Sequence, residues 1–246
     1  MPVTARLLVE AKNLCVERSG ASILHDINLE VDHGEVVALL GANGSGKSTL
    51  LHALVGLIPI SAGSVELCAG HDGQTGIALV PQFAPPVSLI PLTVFELVAT
   101  GLTTKRSVLG LTRKQRGQIR DAIDQVGLNS KSTEKYSSLS GGQLRRALIA
   151  RALVADAELL LLDEPLTGLD RESIKTVVEL MARLRASGHS MIVVSHELAD
   201  LENLFTRVIE LNNRKVTYDG VPLARHKHEA HHHDYQLIAP DLGLLP

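Results

Sequence analysis

The chain has 246 residues, a formal charge of −3, 45% apolar residues and only 2% aromatics; it can form one large α/β domain, alone or with an inserted lobe, whose core is filled by Leu, Val, Ile and Ala. That charge gives no support for broad nucleic-acid binding through phosphate neutralisation. No apolar run approaches the roughly 18 residues that span a bilayer, and Met1–Glu10 lacks a signal-peptide pattern, so the sequence reads as cytoplasmic.

From Leu7 to Val31 apolar residues mostly alternate, at Leu14 and Val16 and again at Ile27, Leu29 and Val31, around a turn at Ser19-Gly20. This pattern predicts an antiparallel strand pair. It leads into Val36–Leu40, a short apolar run of a buried strand, and then into Gly41-Ala42-Asn43-Gly44-Ser45-Gly46-Lys47-Ser48-Thr49. Leu50, Leu51, Ala53, Leu54 and Val55 follow, so the order is strand, glycine-rich loop, helix, the context of a P-loop. Gly41, Gly44 and Gly46 let successive N–H groups turn toward one point, and the helix starting near Lys47 adds its positive end. The result is an anion site fit for a polyphosphate, with Lys47 at the β- and γ-phosphates and the Ser48 hydroxyl as a Mg²⁺ ligand.

Ser64–Cys68 and Gly76–Val80 are further strand candidates, separated by a turn at Gly70–Gly73. Pro81, Pro85, Pro86 and Pro91 make Gln82–Pro91 a loop. The pattern then turns helical through Val94–Thr100 and Arg113–Val126, which predicts an inserted helical lobe over about 83–150. Cys15 and Cys68, the two cysteines, lie far apart without CxxC spacing and read as reduced structural thiols.

A second helix start stands at Leu139-Ser140-Gly141-Gly142-Gln143, where Ser140 is a candidate N-cap and the glycines leave the helix end open to an anion. From spacing alone the stretch is equally an ordinary capped helix. Leu159–Leu162 predicts a central parallel strand ending in Asp163-Glu164-Pro165, at the sheet edge where open α/β folds place ligands. Asp163 suits the Mg²⁺ shell, and Glu164 suits the base that orients or deprotonates an attacking water. Met191–Val194, another apolar strand, brings Ser195-His196 to the same edge.

Val208–Leu211, Asn212-Asn213 and Lys215–Tyr218 predict a hairpin. Beyond Pro222 the composition shifts to His226, His228, His231, His232 and His233 with Glu229 and Asp234. We expect this segment, 221–246, to be a poorly ordered tail that binds a borderline metal such as Zn²⁺.

With these pieces in this order, the sequence resembles the ATP-binding subunit of an ABC transporter over roughly Leu7–Gly220. The resemblance is carried by the P-loop at Gly41–Thr49, a Q-loop-like Gln82, the signature Leu139–Gln143, the strand ending in Asp163-Glu164, a D-loop-like Gly168-Leu169-Asp170 and the switch-like His196. It implies a P-loop nucleotidase core, a mostly parallel sheet with helices on both faces, joined to an N-terminal antiparallel β part and the helical lobe. Residues 1–220 would form one ATP-binding domain.

The resemblance also implies a head-to-tail homodimer in which Ser140 and Gly142 contact the γ-phosphate held by the partner's Lys47, with Gly141 and Gln143 in the same ATP site. Gln82 would join the Mg²⁺ and water shell, Glu164 would be the catalytic base, His196 would contact the γ-phosphate, and Asp170 would communicate across the dimer. Arg18 occupies the place of an aromatic residue that stacks on adenine, and a guanidinium plane can also stack on a base.

Pro91-Leu92-Thr93-Val94, Val108-Leu109-Gly110-Leu111 and Gly127-Leu128 are most similar to zinc and manganese importers. The implied protein is therefore a motor peripheral to the inner face of the cell membrane. It would work on an integral permease and, through it, with an external solute-binding protein. The competing readings are an ABC ATPase for a siderophore, haem or organic nutrient, and a soluble ABC ATPase with no transport role.

Overall fold

The structure, a computed structural model, describes residues 6–67, 76–82, 92–102, 110–195 and 199–223. Cys68, most of the expected loop Gln82–Pro91, Val108, Leu109, His196 and the histidines of the tail lie outside the described residues.

The alternating N-terminal pattern forms β1 (Leu7–Arg18) and β2 (Ala21–Asp32), paired antiparallel across the Ser19-Gly20 turn. A third strand, β4 (Ala62–Leu67), joins the other edge of β1, also antiparallel, in the order β2-β1-β4. The second sheet has the order β5-β6-β7-β3-β8-β9. Its strands are β3 (Val36–Leu40), β5 (Ile77–Val80), β6 (Leu159–Asp163), β7 (Ser190–Val194), β8 (Arg207–Asn212) and β9 (Lys215–Gly220). All neighbours run parallel except the β8–β9 hairpin. The two strands flanking Gly70–Gly73 thus part company, β4 entering the antiparallel sheet and β5 the edge of the parallel one.

Every residue of β3, β6 and β7 is buried, as a strand covered on both faces requires. Period-two alternation divides their side chains between two cores. Val37, Leu39, Leu159, Leu161, Ile192 and Val194 pack with the antiparallel sheet and with α1 (Lys47–Leu54). Val36, Leu160, Leu162, Met191 and Val193 pack with the remaining helices. The parallel sheet is therefore the middle layer, and its C-terminal edge stays open for chemistry.

On the helical side stand α2 (Val94–Ala99), α3 (Arg113–Gln125), α4 (Gly141–Leu153) and α5 (Arg171–Ala186). The first three open with reciprocal capping boxes, Thr93 with Glu96, Thr112 with Gln115 and Ser140 with Gln143, each satisfying two otherwise orphaned donors. Asp170 caps α5 by accepting from the Ser173 N–H at 2.9 Å. No helix among the described residues is long and apolar enough to cross a membrane.

Candidate functional site

The glycine-rich loop crosses from β3 to α1 through a narrow gap. Gly41 has φ 147°, and a Cβ there would stand 2.2 Å from the Leu211 carbonyl oxygen. Gly46, at φ 105°, would press a Cβ to 2.7 Å from Leu24 Cδ2. Backbone at both points is hemmed in by β8 on one side and β2 on the other, so a side chain has no room. The Ser45 hydroxyl within the loop is buried and has no hydrogen-bond partner among the described residues.

Lys47, the first residue of α1, folds back over the loop and donates from Nζ to Gly41 O at 2.6 Å and Ala42 O at 3.0 Å. Burial lowers the pKa of its ammonium, against the opposing pull of Glu164 and then Asp163. One residue on, Ser48 Oγ lies 3.1 Å from Asp163 Oδ1 at the end of β6. These two hard oxygen groups, from different elements, form a donor set of the kind Mg²⁺ takes.

Glu164 leaves β6 in a left-handed conformation, φ 49°, which is strained for a residue with a side chain. Its N–H donates to Val194 O at 2.9 Å, which anchors the turn to β7, and its Oε2 accepts from Thr167 Oγ1 at 3.0 Å. Asp163 and Glu164 are 5% and 7% exposed, so both carboxylates stand mostly out of water at the open edge of the sheet.

A cleft of about 470 Å³ joins these parts, a size suited to a small molecule. Asn43, Gly44, Gly46, Lys47, Ser48 and Thr49 supply its loop wall. Gln82, Glu164, Thr167 and Val194 line it from the ends of the parallel strands, and Ile23 from β2. A polyphosphate in this cleft would meet backbone donors, an ammonium and the start of a helix together, with a carboxylate placed to take a proton from water.

Arg18, at the turn end of β1, is exposed and is not among the residues lining the cleft, whereas Ile23 is. Ser140, Gly141, Gly142 and Gln143 also lie outside its lining. They start α4, where Gly142 packs on the first turn of α5 and Gly141 on Leu169 just before it. A Cβ on Gly142 would stand 2.5 Å from Ser173 Oγ, and one on Gly141 3.2 Å from Leu169 Cδ2.

Three residues at or beside the cleft went unread in the sequence. Thr167 was legible as a hydroxyl three residues after Glu164, and Ile23 as the apolar neighbour of Leu24. Arg145 carried no signal, because its role depends on a contact 64 residues away: Nη1 donates to Pro81 O at 2.7 Å and Nη2 to Gln82 O at 2.8 Å.

Comparison with known proteins places this architecture among relatives. The family described as ABC transporter matches residues 24–167. The chain is 33% identical to the zinc transport system ATP-binding protein TroB of Treponema pallidum (strain Nichols), over 87% of this chain and 81% of that protein. It is 31% identical to the manganese transport system ATP-binding protein MntB of Bacillus subtilis (strain 168), over 85% of both. It is 35% identical to the phosphonates import ATP-binding protein PhnC 2 of Nostoc sp. (strain PCC 7120), over 87% of this chain and 93% of that one. Among solved structures, a metal-chelate type ABC transporter in an inward-facing conformation superposes with a TM-score of 0.77 at 25% identity, covering 92% of this chain and 89% of that chain.

Proposed function

The chain belongs to the ABC transporter family, and on that premise we propose that it is the ATP-hydrolysing subunit that drives uptake of zinc or manganese through a separate permease. The observation that carries the hydrolytic part is the meeting, at one cleft, of the Lys47 ammonium, the Ser48–Asp163 pair and the Thr167-held Glu164 carboxylate. Residues 1–220 act as one ATP-binding unit, with the lobe at about 83–150 turned toward the permease.

In this reading Lys47 exchanges the carbonyls of Gly41 and Ala42 for the β- and γ-phosphates of ATP, and the N–H groups of Asn43 to Thr49 cradle the same phosphates. Ser48, Asp163 and Gln82 would hold Mg²⁺, which would supply charge neutralisation at the phosphate oxygens. Glu164 orients a water and takes its proton, and its Thr167 hydrogen bond fixes the plane of the carboxylate that does so. His196 contacts the γ-phosphate.

The start of α4 belongs, in the same reading, to a second copy of the chain. Ser140, Gly141, Gly142 and Gln143 form a capped helix start that does not line their own cleft, which supports a head-to-tail dimer with each ATP held between two copies. The permease binds this dimer at the membrane, and a solute-binding protein delivers the cargo from outside.

The zinc and manganese systems among the relatives support a divalent metal as cargo, and the tail histidines, from His226 to His233, supply ligands for Zn²⁺. A second reading, an organic or chelated nutrient, is favoured by the phosphonate importer among the same relatives. Elemental analysis of cells in metal-limited medium separates them, comparing the native chain with Glu164→Gln. A selective fall in cellular zinc or manganese is the expected result. Unchanged metal content, with the variant expressed and bound to membranes, overturns the metal reading.

A further inference from the structure

Arg145 is a cation in an unusual place. It sits in the second turn of α4 with 6% of its surface exposed, and no carboxylate among the described residues comes within ion-pair distance of it. Its two terminal nitrogens instead take the carbonyl oxygens of Pro81 and Gln82, consecutive residues just past the end of β5. There the β5–β6 ladder has ended at Val80 and Leu162, so these carbonyls have lost their strand partners.

We propose that Arg145 is a positioning residue for ATP hydrolysis: by gripping the backbone of Gln82 from the signature helix, it sets where the Gln82 amide stands in the cleft. The proposal rests on the reading of Gln82 as part of the Mg²⁺ and water shell.

Chemistry favours this over simple packing. An apolar side chain would fill the same space with no charge to desolvate, so what the guanidinium adds is the fixed spacing of two adjacent carbonyls. A lysine ammonium lacks the planar fork that holds both at once. Burial depresses the pKa of Arg145, while the charges of Asp163 and then Glu164 act in the opposite sense, so the guanidinium lies within the field of the carboxylates that serve the reaction. The same α4 whose first residues face a partner copy thus carries, one turn later, the group that fixes Gln82.

A double-mutant cycle on ATP hydrolysis by the full chain tests this, with kcat expressed per nucleotide-binding site. Arg145→Met is expected to lower kcat about 10- to 100-fold, as a displaced positioning group does, and to leave KM for ATP within about threefold. It is also expected to raise the Mg²⁺ concentration needed for half-maximal rate. Gln82→Ala is expected to lower kcat similarly, and the double variant to match Gln82→Ala alone within about twofold, because Arg145 acts through Gln82. Arg145→Lys, which keeps the charge and loses the fork, is expected to fall between parent and Arg145→Met and to show the same non-additivity; it carries the test if the methionine variant does not fold. Effects that multiply, or a parent kcat in the Arg145 variants while Gln82→Ala is impaired, overturn the proposal and leave the reading of the cleft in place. A parent rate in Gln82→Ala overturns the assignment of Gln82 and the proposal with it.

Discussion

The Ser48 hydroxyl stands 3.1 Å from Asp163 Oδ1, which ties the first turn of α1 to the end of β6. The contact joins residues 115 positions apart and brings two oxygen groups to the point where a divalent ion would sit beside a phosphate. Ser48→Ala is expected to raise the Mg²⁺ concentration for half-maximal hydrolysis by about tenfold, the scale on which a removed metal partner acts. Titration of ATPase rate against Mg²⁺ reads this directly. An unchanged Mg²⁺ curve removes Ser48 from the ion's shell.

Thr167 holds Glu164 Oε2 at 3.0 Å, and Glu164 itself is kept in a left-handed turn anchored to Val194. Thr167→Val keeps the volume and removes the donor, so the carboxylate loses its orientation and keeps its charge. The expected outcome is a kcat lower by about tenfold with KM for ATP nearly unchanged, because a misoriented base weakens the chemical step and not ground-state binding. Steady-state kinetics of the variant decide it. A KM effect with parent kcat would instead place Thr167 in nucleotide binding.

The glycine-rich loop and the carboxylate pair at the end of β6 were legible because each depends on neighbours in sequence. Lys47 and Ser48 are placed by the loop that precedes them, and Asp163 by the four leucines that make β6 a buried strand. The helix starts were legible for the same reason, since a capping box joins residues only three positions apart, as Ser140 and Gln143 are. What local pattern does not carry is which elements meet. The departure of β4 from β5, the choice of Ile23 over Arg18 as a wall of the cleft and the grip of Arg145 on Gln82 all follow from long-range packing. Thr167 lay between: its spacing from Glu164 was visible, and its rotamer was not.

Gly142 packs where a Cβ would stand 2.6 Å from Ser173 Cβ and 2.5 Å from its Oγ. Gly142→Ala therefore forces α4 and α5 apart, at an overpacking cost of about 1–3 kcal/mol. For a domain of this size that corresponds to a Tm lower by about 2–10 °C. Ser173→Gly in the same chain removes both contacting atoms and is expected to restore part of the loss in a thermal melt. No recovery would mean that the loss does not come from this close approach to Ser173.

Lys47 supplies the pH dependence. Its folded-state pKa is lowered below the usual 10.5, first by burial, so between that lowered value and the unfolded one the unfolded chain binds more protons. The sign follows: this group penalises folding while it is charged, and its contribution to stability rises with pH through that window. A polyphosphate reverses the balance, because the ammonium then faces an anion and its charged form is favoured. ATP binding in the window must therefore take up a proton, and affinity must fall as the pH rises through the lowered pKa. Calorimetric titration with ATP over about pH 7–10, repeated in buffers of different ionisation enthalpy, measures both effects. Proton uptake that grows toward alkaline pH and disappears in Lys47→Met, with the alkaline fall in affinity lost as well, is the expected result. Uptake that persists in Lys47→Met would assign the proton to another group and leave the ammonium fully charged throughout.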